Sequence, residues 1–119
     1  MKRKLVRSVL LLCGLFCVMG ADSISFNAGQ PNPNPGGMKN LIEANGTYTL
    51  DPGHMYACST FTADDGVKST FTTSANNGTW TLIATPLPAG TYDCYASLVV
   101  NDGKKLWSVN STTKSVTVK

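Results

Sequence analysis

What most constrains this chain is its punctuation. Past Asn40, runs rich in Val, Thr, Ser and aromatic residues are interrupted every ten residues or so by turn residues. Thr47–Leu50 gives way to Asp51-Pro52-Gly53, and Met55–Thr62 to Ala63-Asp64-Asp65-Gly66. Val67–Thr73 gives way to Ser74-Ala75-Asn76-Asn77-Gly78, and Thr79–Ala84 to Pro86-Leu87-Pro88-Ala89-Gly90. Thr91–Val100 then leads through Asp102-Gly103 into a long last segment, Lys105 to Lys119. No window long enough for a helix carries apolar residues at helical spacing. β-Branched and aromatic residues suit a pleated, half-buried surface. Short strands at this spacing predict an all-β protein of about six to seven strands, an antiparallel β-sandwich or a small barrel. Ser59-Thr60-Phe61-Thr62 and Ser69-Thr70-Phe71-Thr72 repeat one tetrapeptide, which reads as two similar strands and not as a repeat array.

The N-terminal segment has a different character. Lys2, Arg3, Lys4 and Arg7 precede an apolar run, Val9 to Met19, and small residues follow at Gly20 and Ala21. This is the layout of a secretory signal peptide over residues 1–21, with the cut after Gly20 or Ala21. The run is too short to span a bilayer, which takes about 20 apolar residues. The expected product is secreted or periplasmic, with no membrane insertion after cleavage. Export also changes the charge. The whole chain is formally +3, but four of its ten basic residues lie in the leader. Six Lys then face seven acidic residues, for a net −1 with no Arg. That balance excludes nucleic acid as a partner, because such affinity comes mainly from neutralising phosphates.

Residues 22–39 read as a short strand, Asp22 to Phe26, followed by a Pro/Gly-rich arm, Asn27 to Gly37, with sparse backbone donors. The arm serves as a linker, and the sandwich occupies 40–119. An Asp-Gly turn favours a two-residue hairpin loop. It aligns Asn101 with Lys104, Leu98 with Trp107, Ala96 with Val109 and Cys94 with Ser111. Tyr92, Cys94, Ala96, Leu98, Trp107 and Val109 then face inward, and Tyr95, Ser97, Val99, Leu106 and Ser108 outward. Two cysteines survive processing, Cys58 and Cys94, and an even pair in an exported chain is read as a disulfide.

Tyr92 stands two residues before Cys94 and just past the corner Leu87-Pro88-Ala89-Gly90. With Ala96, Asn101-Asp102-Gly103 and the closing Val116-Thr117-Val118, this stretch resembles the bacterial immunoglobulin-like domains of exported and cell-surface proteins. The resemblance implies an immunoglobulin-like sandwich in which Tyr92 makes a tyrosine corner and Cys94 bridges from strand F to Cys58 on the strand-B side. Those domains serve as spacers, adhesive modules or carbohydrate-associated modules, and they share no catalytic residue. The separation of Cys58 from Cys94 is short for that bridge, and the strand count between them decides the topology.

Candidate chemistry is sparse. His54 is the only histidine, sits beside a Pro-Gly turn, and reads as a solvated residue. No nucleophile motif surrounds it, so no enzymatic activity and no cofactor are expected. Zinc would require Cys58, Cys94 and His54 to converge, against the disulfide. Calcium has a weak set in Asp64, Asp65, Asn101 and Asp102, provided both turns share one end of the sandwich. Trp80 alternates with Leu82 and Ala84 and reads as core, as does Trp107. The sequons at Asn45, Asn77 and Asn110 read as incidental. The candidate interface is Tyr95, Val99 and Leu106, an outward apolar stripe that the arm either leaves open or covers. These residues point to a non-enzymatic binding or structural module whose partner is a protein or glycan of the cell envelope or extracellular space. A small hydrolase inhibitor presenting Asn32 to Gly37 and a carbohydrate-binding module are the alternatives.

Overall fold

A computed structural model describes residues 22–119. The signal-peptide reading falls on residues 1–21 and lies outside the described residues. The described chain is all-β, and its strands form two antiparallel sheets in a sandwich. In chain order the strands are β1 (Ser23–Phe26), β2 (Asn32–Pro33), β3 (Leu41–Thr49), β4 (Met55–Asp64) and β5 (Lys68–Thr72). They continue with β6 (Ser74–Asn76), β7 (Thr79–Pro86), β8 (Gly90–Asn101), β9 (Leu106–Asn110) and β10 (Lys114–Val118). The first sheet runs β1-β3-β7-β6, with β2 also on β3. The second runs β10-β8-β4-β5, with β9 also on β8.

The alternation read along the Cys94 strand is the alternation of β8. Tyr92, Cys94, Ala96, Leu98 and Val100 are buried, and Asp93, Tyr95, Ser97 and Val99 are not. They meet Ile24 of β1, Ile42 and Ala44 of β3, Phe61 and Ala63 of β4, and Trp80 and Leu82 of β7. Phe26 stands edge-on to both Phe61 and Trp80, with centroids 6.1 and 5.7 Å away. Trp80 is therefore core, and its Nε1 donates to the Ser25 carbonyl at 2.9 Å. That bond draws β1 over Gly46, where any side chain would collide with the same carbonyl.

The last hairpin is shifted by two residues from the expected register. Leu98 pairs with Val109, Val100 with Trp107 and Asn101 with Leu106. The loop is longer than an Asp-Gly pair because Asp102 closes it: its Oδ1 accepts the Lys104 and Lys105 amides at 2.8 and 3.0 Å. An even shift leaves every side chain on its expected face, since the pleat repeats every two residues. The long last segment also breaks. Ser111 donates its amide to Ala96 and accepts the Ala96 amide on Oγ. β8 then changes partner, so Cys94 pairs with Lys114 of β10 and not with Ser111.

Residues 22–39 are built into the first sheet. β1 pairs with β3 from Ser23↔Thr49 to Phe26↔Gly46, and β2 pairs Asn32 with Glu43 and Pro33 with Ile42. A short turn at Pro35–Gly37 leads into β3.

The expected disulfide is absent: Cys58 and Cys94 are free thiols. β4 and β8 are direct antiparallel neighbours in one sheet, with Cys58 opposite Val99 and Cys94 opposite Ala63. Ala63 is five positions beyond Cys58 on β4, roughly 16 Å of strand. The side chains also leave opposite faces, Cys94 into the core and Cys58 to solvent. A bridge requires Cα atoms within about 7 Å.

Candidate functional site

The outward face of β4, β8 and β9 contains the expected stripe, rearranged. Pairing places Met55, Asn101 and Leu106 in one row across the three strands, and Cys58, Val99 and Ser108 in the next. A bulge between Tyr56 and Cys58 turns both Met55 and Cys58 outward. Leu106 is 63% exposed and Met55 55%, and Val99 lies half-buried in the row beside theirs. Tyr95 is further along, opposite Thr62, with Ser97 between it and Val99. The apolar patch is thus Met55, Cys58, Val99 and Leu106, with Tyr95 at a distance. Met55 and Cys58 were not legible as members. The expected bridge to Cys94 would turn Cys58 inward, and the bulge that sends it outward leaves no mark in the sequence. The arm does not cover this face, since its strands lie on β3 of the other sheet.

Beyond Val99 the face becomes hydroxyl-rich. Thr60 pairs with Thr72 and Ser97, and Thr62 with Thr70 and Tyr95. The hydroxyls of Thr62 and Thr70 are 3.1 Å apart. The repeated Ser-Thr-Phe-Thr segments therefore pair side by side, each sending its Phe inward and its Thr outward.

The weak calcium set is dispersed. Asp64 ends β4 opposite Asp93, whereas Asn101 pairs with Met55 at the other end of the same strand. About 30 Å of strand separates the two turns. Each turn consumes its own acids: Asp64 and Asp65 accept the Gly66 and Val67 amides, Asn101 accepts that of Gly103, and Asp102 those of Lys104 and Lys105. These backbone bonds hold the Asp102 carboxyl below its usual range.

The Tyr92 hydroxyl donates to the Pro88 carbonyl at 2.6 Å, a bond of the kind a tyrosine corner makes. Burial, then Asp65, then Cys94 raise its pKa. Burial first and Asp93 second push the Cys94 thiol up to about 12, which makes it inert at neutral pH.

At the end of the sandwich that carries Asn101, His54 is more than a solvated loop residue. Its Nδ1 lies 2.9 and 3.1 Å from the two Asp22 oxygens. Its ring meets Trp107 edge-on, with centroids 5.0 Å apart and planes at 82°. Lys105 Nζ lies 5.7 Å from the Trp107 ring centre. Asp22 Oδ1 also accepts the Asp51 amide at 2.8 Å, and the His54 amide donates to the Asp51 carbonyl at 3.0 Å. Asp22 and Asp51 were read as strand and turn residues, and nothing in their spacing brings them to His54. The contact exists because β1 pairs with β3 and so starts beside the β3–β4 turn.

No protein-family model, no curated protein and no solved structure matches this chain.

Proposed function

We propose that this chain is an exported, non-enzymatic binding module with an immunoglobulin-like build, and that it engages a protein of the envelope or extracellular space through the outward face of β4, β8 and β9. The observation that carries this reading is the patch of Met55, Cys58, Val99 and Leu106. These residues cluster in two neighbouring rows around Asn101 on an otherwise hydroxyl-rich face, and exposed apolar clusters mark interaction sites. The immunoglobulin-like reading is supported by strand order. The sequences β1-β3-β7-β6 and β10-β8-β4-β5 correspond to ABED and to GFC with one further strand. The Tyr92–Pro88 bond is in keeping with that build.

The test substitutes Val99→Ser and Leu106→Ser together. Capture of a partner from envelope and secreted extracts should be lost while the melting temperature changes little. Capture that persists in the double variant rejects this face as the binding surface.

A second reading, a hydrolase inhibitor presenting the Asn32–Gly37 loop, is favoured by one observation. Asn34 is tied to the Lys119 backbone in both directions, which holds the loop rigid behind exposed Met38. Rigid presentation lowers the ordering cost of binding. Inhibition lost on Asn34→Gly would favour that reading over the sheet face. The sugar-platform alternative has less support, since Trp80 is consumed by the core and Trp107 by His54.

A further inference from the structure

His54, Asp22 and Asp51 offer an imidazole nitrogen and two carboxylates, all within 4.8 Å of one another. The geometry points to a binding site here for one divalent first-row transition ion of the Zn2+ class, held by Asp22, His54 and Asp51. Imidazole with carboxylates is a donor set for such ions, and three protein ligands leave a position open for solvent.

The ligand atoms are close to the spacing the ion needs. In a tetrahedral shell two donors that each lie about 2.1 Å from one ion are about 3.4 Å apart. His54 Nδ1 and Asp22 Oδ2 are 2.9 Å apart. In the tautomer with Nδ1 protonated, one proton lies between them, and a cation would take its place. On binding, the bond from Nδ1 to that proton breaks, a bond from Nδ1 to the ion forms, and the proton leaves to solvent. No oxidation or reduction is involved.

The surroundings hold the ligands in place, as a second shell does in a metal site. The Asp51 amide fixes Asp22 through Oδ1. The His54 amide bonded to the Asp51 carbonyl fixes the turn, and Trp107 fixes the ring. The site has both a buried wall and an entrance, since the Asp22 side chain is 8% exposed and the His54 side chain 24%. Asp22 immediately precedes β1, which contributes Ile24 and Phe26 to the core. The ion would therefore fasten β1 to the β3–β4 turn, and its binding energy would add to the stability of the fold.

The test titrates the full chain with Co2+ alone and with Zn2+ alone. We expect one Co2+ per chain, a visible ligand-field spectrum without the near-ultraviolet charge-transfer band of thiolate ligands, and proton release on binding. At a hundredfold excess over Kd, Zn2+ should raise the melting midpoint by on the order of 10 °C. His54→Ala should abolish the spectrum. Asp51→Asn, which preserves side-chain shape, should weaken binding by at least about tenfold. A spectrum that persists in His54→Ala, or that carries the thiolate band and is lost in Cys58→Ala, overturns the proposal. So does a wild-type chain whose melting midpoint neither ion moves.

Discussion

Asn34 and Lys119, 85 positions apart, are joined by two hydrogen bonds between one side-chain amide and one backbone unit. Asn34 Nδ2 donates to the Lys119 carbonyl at 2.9 Å, and the Lys119 amide donates to Asn34 Oδ1 at 3.0 Å. The pair does the work of a rung between strands and ties the end of β10 to the turn after β2. It therefore connects the two sheets at one edge. Asn34 itself is left-handed, with φ of 63°, a conformation that Asn tolerates better than most residues.

Two substitutions separate these contributions. Asn34→Gly keeps the backbone relaxed and removes both bonds, and should cost about 1–2 kcal/mol. Asn34→Ala adds left-handed strain of about 1 kcal/mol. Urea denaturation should order the three proteins as wild type, Gly, Ala. Equal stability of all three would mean that the clamp contributes nothing.

Gly46 is the position least able to change. A Cβ there would lie 1.8 Å from the Ser25 carbonyl oxygen and 2.5 Å from Trp80 Nε1. Backbone cannot give way as the end of a long side chain can. Gly46→Ala should force β1 from β3, break the Trp80–Ser25 bond and withdraw Ile24 and Phe26 from the core. The expected loss exceeds about 3 kcal/mol, beyond ordinary overpacking. It should appear as a large fall in melting temperature together with a shift in tryptophan emission. A melt within a few degrees of wild type would contradict this account.

The two thiols should behave differently. Cys58 is exposed on the outward face of β4 and Cys94 is buried in the core. Brief alkylation of the native protein, mapped by peptide mass, should label Cys58 and spare Cys94 until denaturant is added. Cys58→Ser should be close to neutral in stability. Equal protection of the two, released together by a reductant, would indicate the bridge that the strand register forbids.

These thiols also show where sequence reading stops. The face of each residue on β8 was legible because alternation is a local property of a strand, and it survived a register shift of two at the Asp102 loop. The role of Trp80 was legible for the same reason. The choice of neighbour was not. Nothing local to Met55–Asp64 says that this strand lies beside β8 and not across the sandwich from it, and the bulge at Tyr56 and Cys58 changes the face without changing composition. The cluster at His54 was hidden likewise: Asp22 reaches it only because an eighteen-residue segment that reads as strand and linker returns along β3.

Alkaline pH should unfold this protein through the same core. The folded-state pKa values of Cys94 and Tyr92 are raised, so burial favours their neutral forms. An unfolded thiol ionises near pH 8.5 and an unfolded tyrosine near 10. The unfolded chain therefore releases protons at a lower pH than the native one, and stability falls as pH rises. The contribution from Cys94 is fully present below about pH 8.5 and is lost as pH climbs toward about 12. Tyr92 adds to the loss above about pH 10. Denaturation followed from pH 7 to 11 should show a flat region and then a decline. Cys94→Ala should be less stable at pH 7 because it leaves a cavity, yet its decline should begin at higher pH, since only the tyrosine remains to ionise. An identical onset in wild type and variant would assign the alkaline transition to other groups.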